Sequence, residues 1–156
     1  MDARYPRALR CVLALGLAFE LLPANAVALF IVTEPWVRVA PDGRSAEAYM
    51  QLRSSEGAAV VGVRSDVTGN IALRPPGASG AAANEIRLPA GVTVLLAPGV
   101  NRVALPSLNR TLKLGDRVPL VLTVEAADGS RQEIPVNAEV RRRAPTDDHR
   151  IPHRQP

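Results

Sequence analysis

Two histidines, His149 and His153, stand near the C-terminus and are the only imidazoles in the 156-residue chain. On a helix this H-x-x-x-H spacing would turn both rings to one side and offer a metal ion two nitrogen donors. Pro152 lies between them, and a proline inside a helix removes a hydrogen bond and clashes with the preceding turn. The expectation is a solvated segment, with weak metal capture as the alternative. Cys11 is the only cysteine and sits in the N-terminal apolar run, so the rest of the chain has no thiolate for catalysis or metal binding. Met50 is the only methionine after Met1; beside Tyr49 in an apolar stretch, it is expected to fill core space. Residues 30–140 contain neither His nor Cys, which excludes a histidine-based triad or a thiol mechanism there. Gly77-Ala78-Ser79-Gly80 lacks the G-x-S-x-G spacing of a nucleophile elbow. No acidic pair stands out as a glycosidase dyad, and no glycine-rich loop precedes a helix. The expectation is a protein that is not an enzyme and needs no cofactor.

The N-terminus reads as an address. Arg4, Arg7 and Arg10 form a positive region, residues 11–19 an uncharged apolar run, and Ala24-Asn25-Ala26 a small-x-small site for signal peptidase. The apolar run is well short of the ~20 residues a spanning helix needs. A signal peptide over residues 1–26 is expected, cleaved after Ala26 or Ala28. A retained anchor is the alternative, because Glu20 is oddly placed and residues 27–32 continue apolar. Cleavage would leave a periplasmic or secreted bacterial protein with no stable membrane insertion. The formal charge is +4 and 18 of the 19 basic residues are arginines scattered along the chain, Lys113 being the exception. Aromatics are only 3% of the residues, too few to stack bases, so nucleic acid is not an expected partner.

The elements that must position any site are strands. Segments 30–39, 46–53, 59–64, 70–74, 92–96, 102–105, 118–126 and 132–140 are rich in Val, Ile and Leu, and turn signals such as Pro41-Asp42-Gly43, Pro98-Gly99, Gly115-Asp116 and Asp128-Gly129 separate them. Leu120, Leu122 and Val124 share one face of a period-two strand. Val121 is apolar as well, which predicts a central strand covered on both sides. The segments around Asp128-Gly129 form the clearest hairpin. Many short strands without a helical stripe predict an all-β sandwich or barrel. Residues 75–83, rich in Pro, Gly and Ala, are expected to be a loop. Residues 141–156, charged and proline-rich, are expected to be a disordered charged tail. Arg141-Arg142-Arg143 within it has the charge to dock on anionic headgroups, but Asp147 and Asp148 dilute it, and a solvated tail is preferred.

Four ordered stretches resemble the periplasmic copper chaperone family PCu(A)C. They are Glu34-Pro35-Trp36-Val37-Arg38, then Ala46-Glu47-Ala48-Tyr49-Met50, then Leu88-Pro89-Ala90-Gly91 with Leu96-Ala97-Pro98-Gly99, and finally residues 112–120 followed by the Asp128-Gly129 hairpin. The resemblance spans about residues 30–137 and implies a cupredoxin-like β-sandwich over residues 27–140. It also implies where copper would bind. In that family copper(I) is held by a His after a G-x-x-x-L stretch, a Met in the following loop, and an H-x-M pair on a later strand, the soft donors that suit a soft ion. Aligned on the motifs, the first His becomes Arg74, after Gly69-Asn70-Ile71-Ala72-Leu73. The H-x-M pair becomes Arg102-Val103-Ala104, and the loop Met has no counterpart in residues 75–83. Arginine stays protonated and offers no lone pair, so the expectation is no metal at the family positions Arg74, Arg102 and Ala104.

Two functions remain. The resemblance implies copper homeostasis or delivery to cytochrome oxidase, with copper(I) bound only if the tail histidines or a partner supply ligands. The alternative is a non-metal module recognising an acidic protein partner or an anion near Arg74 and Arg102, since guanidinium groups grip carboxylate and phosphate bidentately. Two solvent-facing arginines in an arginine-rich chain are the plainer account of that pair. The donor chemistry favours the second function.

Overall fold

Alternation of inward and outward side chains builds almost every element of the chain. In the computed structural model, which describes residues 29–76 and 82–145, nine strands appear in the order β1 (Phe30–Val39), β2 (Ala46–Ser54), β3 (Ala58–Ser65), β4 (Ala72–Arg74), β5 (Ile86–Leu88), β6 (Thr93–Leu96), β7 (Arg102–Leu105), β8 (Arg117–Ala126) and β9 (Arg131–Val140). On β2 the residues Ala46, Ala48, Met50 and Leu52 are buried, and on β8 Val118, Leu120, Leu122 and Val124. These sets are the inner rows of one core, joined by Val37, Leu73, Val103, Leu105, Val136 and Ala138. Met50 lies in it, 1% exposed, as its neighbours predict. No helix among the described residues is long and apolar enough to cross a membrane.

The strands form one continuous sheet in the order β4-β7-β2-β1-β9-β8-β3-β5, with β6 also paired to β2. Strand β2 is the hub. Its whole length pairs with β1, and its other edge is shared end to end by β7, at Ala46–Ala48, and by β6, at Met50–Arg53. Distant strands close on each other, β3 against β4 and β2 against β5, so the sheet wraps into a sandwich, as the alternation predicts and the family resemblance implies. The Asp128-Gly129 turn joins β8 to β9 in a nine-residue antiparallel register, the expected hairpin.

Three details differ from the expectations. Strand β8 is central, between β9 and β3, but its outer face is not covered: Arg117 and Pro119 are exposed and Val121 is half-buried. Strand β4 begins at Ala72 rather than at residue 70, because Thr68 ties up that stretch by bonding the main chain at Asn70 and Pro106. Strand β5 was not expected at all; three residues are too few for a period-two pattern to register. The signal segment 1–26, the tail histidines His149 and His153 and residues 77–81 of the expected loop lie outside the described residues.

One irregularity keeps β1 in phase. Its pairing with β2 shifts between Thr33 and Trp36, so that one extra residue stands in β1. Val32 pairs with Leu52 and Val37 with Ala48. Because 32 and 37 differ by an odd number, a regular strand would turn one of them outward. The bulge lets both face the core. Glu34 carries it with φ 51°, and its carboxylate accepts a hydrogen bond from Gln51 Nε2 at 2.8 Å. A β-branched side chain tolerates that backbone poorly, so Glu34→Val should destabilise the fold by about 1–2 kcal/mol. Glu34→Gly should lose less than Glu34→Val, as urea unfolding midpoints would show.

Candidate functional site

Antiparallel pairing of β4 with β7 sets Arg74 directly opposite Arg102 and Ala72 opposite Ala104. Residues paired this way share a face, with β-carbons about 4.5–5.5 Å apart. Arg102 and Ala104 are two residues apart and therefore share that face too. The intervening Val103, with Leu73 and Leu105, is buried in the core, so the three aligned positions meet on the outer side of the sheet. The Arg74–Arg102 pair thus joins residues that are 28 positions apart in the chain.

The outer face continues across β2 and β1. Ala104 pairs with Glu47, and Glu47 in turn with Arg38. Arg102 Nε lies 2.8 Å from Glu47 Oε1, and Arg38 Nη2 lies 3.2 Å from Glu47 Oε2. Tyr49, the next outward residue of β2, donates its hydroxyl to Glu47 Oε2 and accepts a hydrogen bond from Arg38 Nη2 at 2.8 Å. Its ring packs against Trp36, with centroids 4.6 Å apart, and the Arg38 guanidinium stands 5.4 Å from its centroid. Trp36 and Tyr49 are both buried although they point away from the main core.

Glu47 is the electrostatic centre of this cluster. Burial alone would raise its pKa, but the hydrogen bonds from Tyr49 and Arg38 and the charges of Arg102 and Arg38 outweigh burial and hold it below the ordinary value of 4.5. Burial, and then the hydrogen bond to Glu47 and its charge, push the Tyr49 phenol well above its usual range. The phenol is therefore a proton donor to a carboxylate and not a base. A carboxyl with a lowered folded-state pKa contributes stability above its unfolded pKa and loses it as pH falls through the folded value. Unfolding free energy should therefore drop as pH falls below 4.5, and Glu47→Gln should remove part of that dependence. With the carboxylate about one-third exposed, solvent screening holds the effect to about 1 kcal/mol or less; urea unfolding across the acidic range measures it.

The three aligned positions offer a metal no donor atom of their own. Guanidinium groups and a methyl group have no lone pairs to give, and Met50 points into the core on the opposite side of β2. No group of three or more His, Cys, Asp or Glu side chains that could hold a metal occurs among the described residues. What the face does hold is a carboxylate, already gripped by two arginines. Arg38, Glu47 and Tyr49 received no role from the sequence, although two of the motif stretches contain them. The signal that could have found them is the alternation Glu47-x-Tyr49 facing Trp36-x-Arg38.

Comparison with known proteins supplies the context. Residues 31–138 match a family model described as "Putative lipoprotein LpqE-like". No curated protein matches the sequence. Among solved structures, the apo PCuAC domain from PmoF1 superposes with a TM-score of 0.64 at 23% identity, over 72% of this chain and 92% of that domain. The copper-bound PCuAC domain from PmoF2 gives 0.60 at 23% identity, over 71% and 91%. The solution structure of CuI-DR1885 from Deinococcus radiodurans gives 0.51 at 30% identity, over 76% and 83%.

Proposed function

Because the chain belongs to the LpqE-like family and has the fold of PCuAC domains, we propose that it is an extracytoplasmic, copper-chaperone-like protein that lacks the copper site of PCu(A)C proteins and catalyses no reaction. A signal peptide over residues 1–26 and periplasmic or secreted localisation belong to this reading, as does a domain over residues 27–140 followed by a charged tail. The end of β9 at Val140 supports the last boundary. By resemblance the role lies in copper homeostasis or delivery to cytochrome oxidase, with any copper ligands drawn from His149, His153 or a partner.

The observation that carries the reading is the cross-strand pair Arg74–Arg102 with Ala104 beside it. Strands β4 and β7 hold these residues together on one face, as copper ligands would have to be held. Two fixed positive charges there repel a cation and donate nothing to it. Titration of the purified full chain with copper(I) against a competing chelator is the test. No tight binding is expected, and any weak uptake should vanish in the His149→Ala/His153→Ala variant. One cuprous ion held at nanomolar affinity in that variant would overturn the reading.

The second reading is an anion or acidic-partner site at the same arginines. The bond from Arg102 to Glu47 at 2.8 Å favours it, because it exhibits a carboxylate held where an incoming one would bind. Glu47 then acts as a built-in competitor. Inorganic phosphate should bind more tightly to Glu47→Gln than to the parent protein, and Arg74→Ala/Arg102→Ala should abolish the binding. Phosphate that ignores all these changes would remove the reading.

A further inference from the structure

The end of β9 opens a groove that neither reading uses. Leu114, Gly115, Glu139, Val140 and residues 141–143 line a concavity of about 540 Å³. A second, of about 330 Å³, shares Leu114, Val140, Arg141 and Arg142 with it and extends past Leu112 to Arg38 and Val39. Four arginines therefore line the combined groove: Arg38, Arg141, Arg142 and Arg143. Glu139 is the only carboxylate in its lining, and it is already held by Arg117 and Arg141, each at 3.3 Å. Arg142 and Arg143 are exposed, and no ion pair engages them among the described residues. Arg141 is engaged by Glu139 and Arg38 by Glu47, so the uncompensated positive charge of the groove rests on Arg142 and Arg143.

Its wall is apolar as well as basic. Leu114 is 55% exposed, and Leu112 and Val140, which line the same groove, are buried. The main chain contributes too. The parallel ladder between β1 and β9 ends at Val37–Val140, where the Arg141 N–H donates to Val37 O at 2.8 Å. The Ala40 N–H donates to Ser45 O at 2.9 Å. Hydrogen-bonded pairs alternate along an antiparallel ladder, so the N–H and C=O of Val39 point away from β2, past the end of β9 and into the groove. An extended chain laid there finds a strand edge, an exposed leucine and a row of guanidinium groups.

We propose that this groove binds an extended acidic segment of a protein partner, in which carboxylates meet Arg142 and Arg143 and an apolar side chain covers Leu114. Strand edges and alternating side-chain pockets are a recurrent way of holding extended peptides, and complementary charge sets their register and speeds encounter. An anionic bilayer supplies headgroup charge but no main chain to pair with the strand edge at Val39. The surface is distinct from the Arg74–Arg102 pair, and the proposal stands whether or not that pair binds an anion.

The test uses the full chain and a fluorophore-labelled peptide of sequence Glu-Leu-Glu-Leu-Glu-Glu, capped at both ends, followed by anisotropy. Binding is expected at low salt and should weaken as salt rises. Arg142→Glu/Arg143→Glu should weaken it at least tenfold, and Leu114→Asp should also weaken it. Arg74→Ala/Arg102→Ala should leave it unchanged, which separates this site from the anion reading. Arg142 and Arg143 lie beyond the last strand, so an unchanged thermal midpoint is expected, and Arg142→Lys/Arg143→Lys should retain binding. The proposal is overturned if the charge-reversed variant, still folded, binds the peptide as the parent does. It is equally overturned if phosphatidylglycerol vesicles bind the protein through these arginines while the peptide does not.

Discussion

Replacing Arg74 with His, Arg102 with His and Ala104 with Met together should give the domain an affinity for copper(I) that the parent is expected to lack. The expected gain is about a thousandfold in affinity, or roughly 4 kcal/mol. The ladder dictates the design. Positions 74 and 102 face each other across β4 and β7, so two imidazoles there converge on one point. Position 104 lies two residues along the same face and supplies the thioether. Imidazole and thioether are the donors a soft monovalent ion prefers, and the substitution also removes two positive charges that repel it. Glu47, freed from Arg102, then leaves a carboxylate near the ion and helps to balance its charge. The control is Arg74→Gln/Arg102→Gln/Ala104→Ser, which removes the charges without adding soft donors and should gain almost nothing. Chelator competition under anaerobic conditions reads both variants. A folded triple variant that still ignores copper(I) would show that these positions do not converge as their pairing requires, and the lost-site reading would fall with it.

The second large effect is on stability. Leu52→Ala should lower the unfolding free energy by about 3 kcal/mol, within the range of 2–5 for emptying a fully enclosed leucine site. Leu52 is 0% exposed and sits on the hub strand between Val32 of β1 and Val94 of β6. Neighbours fixed on three strands cannot all relax into the space it leaves. For a domain with a total stability of about 5–15 kcal/mol, that loss should lower the thermal midpoint by roughly 10 °C. Leu95→Ala, one residue along β6 from Val94 but 51% exposed, should change stability by less than about 0.5 kcal/mol. Equal losses from the two substitutions, measured by chemical denaturation, would mean that the facing of β2 and β6 is not as described.

Much of this molecule is legible one strand at a time. The alternation that marks β1, β2, β7, β8 and β9 is a local property, because each side chain's face follows from its own position in an extended chain. The turns before β2 and between β8 and β9 are local for the same reason: Pro41-Asp42-Gly43 and Asp128-Gly129 supply the required backbone conformations, with Gly43 at φ 66° and Gly129 at φ 82°. The chemistry of the aligned site positions is local too. No fold gives a guanidinium a lone pair, so arginine at 74 and 102 argues against a metal site before any neighbour is known. Strand β5 escaped because Ile86 and Leu88 are buried through pairing with β3, and nothing within three residues announces a partner that far away in the chain.

The tail histidines show the other side of the same rule. From the sequence alone, Pro152 gives the expectation that no helix runs through His149 and His153, which lie outside the described residues. The cluster around Glu47 depends wholly on neighbours. Whether that carboxylate meets Arg38 or a core residue depends on the register between β1 and β2, and that register depends on one extra residue at the Glu34 bulge.

The amino-acid order alone therefore determined the strand class, most strand positions, the tight turns and the absence of soft donors at 74, 102 and 104. Each of these follows from bonds and side-chain chemistry within a few residues. The tertiary structure alone decided that Arg74 stands opposite Arg102, that Glu47 bridges two arginines and that the end of β9 leaves a basic groove. Those are outcomes of register and sheet order, set by the burial of the whole inner face at once, and no short segment carries enough of that energy to specify them.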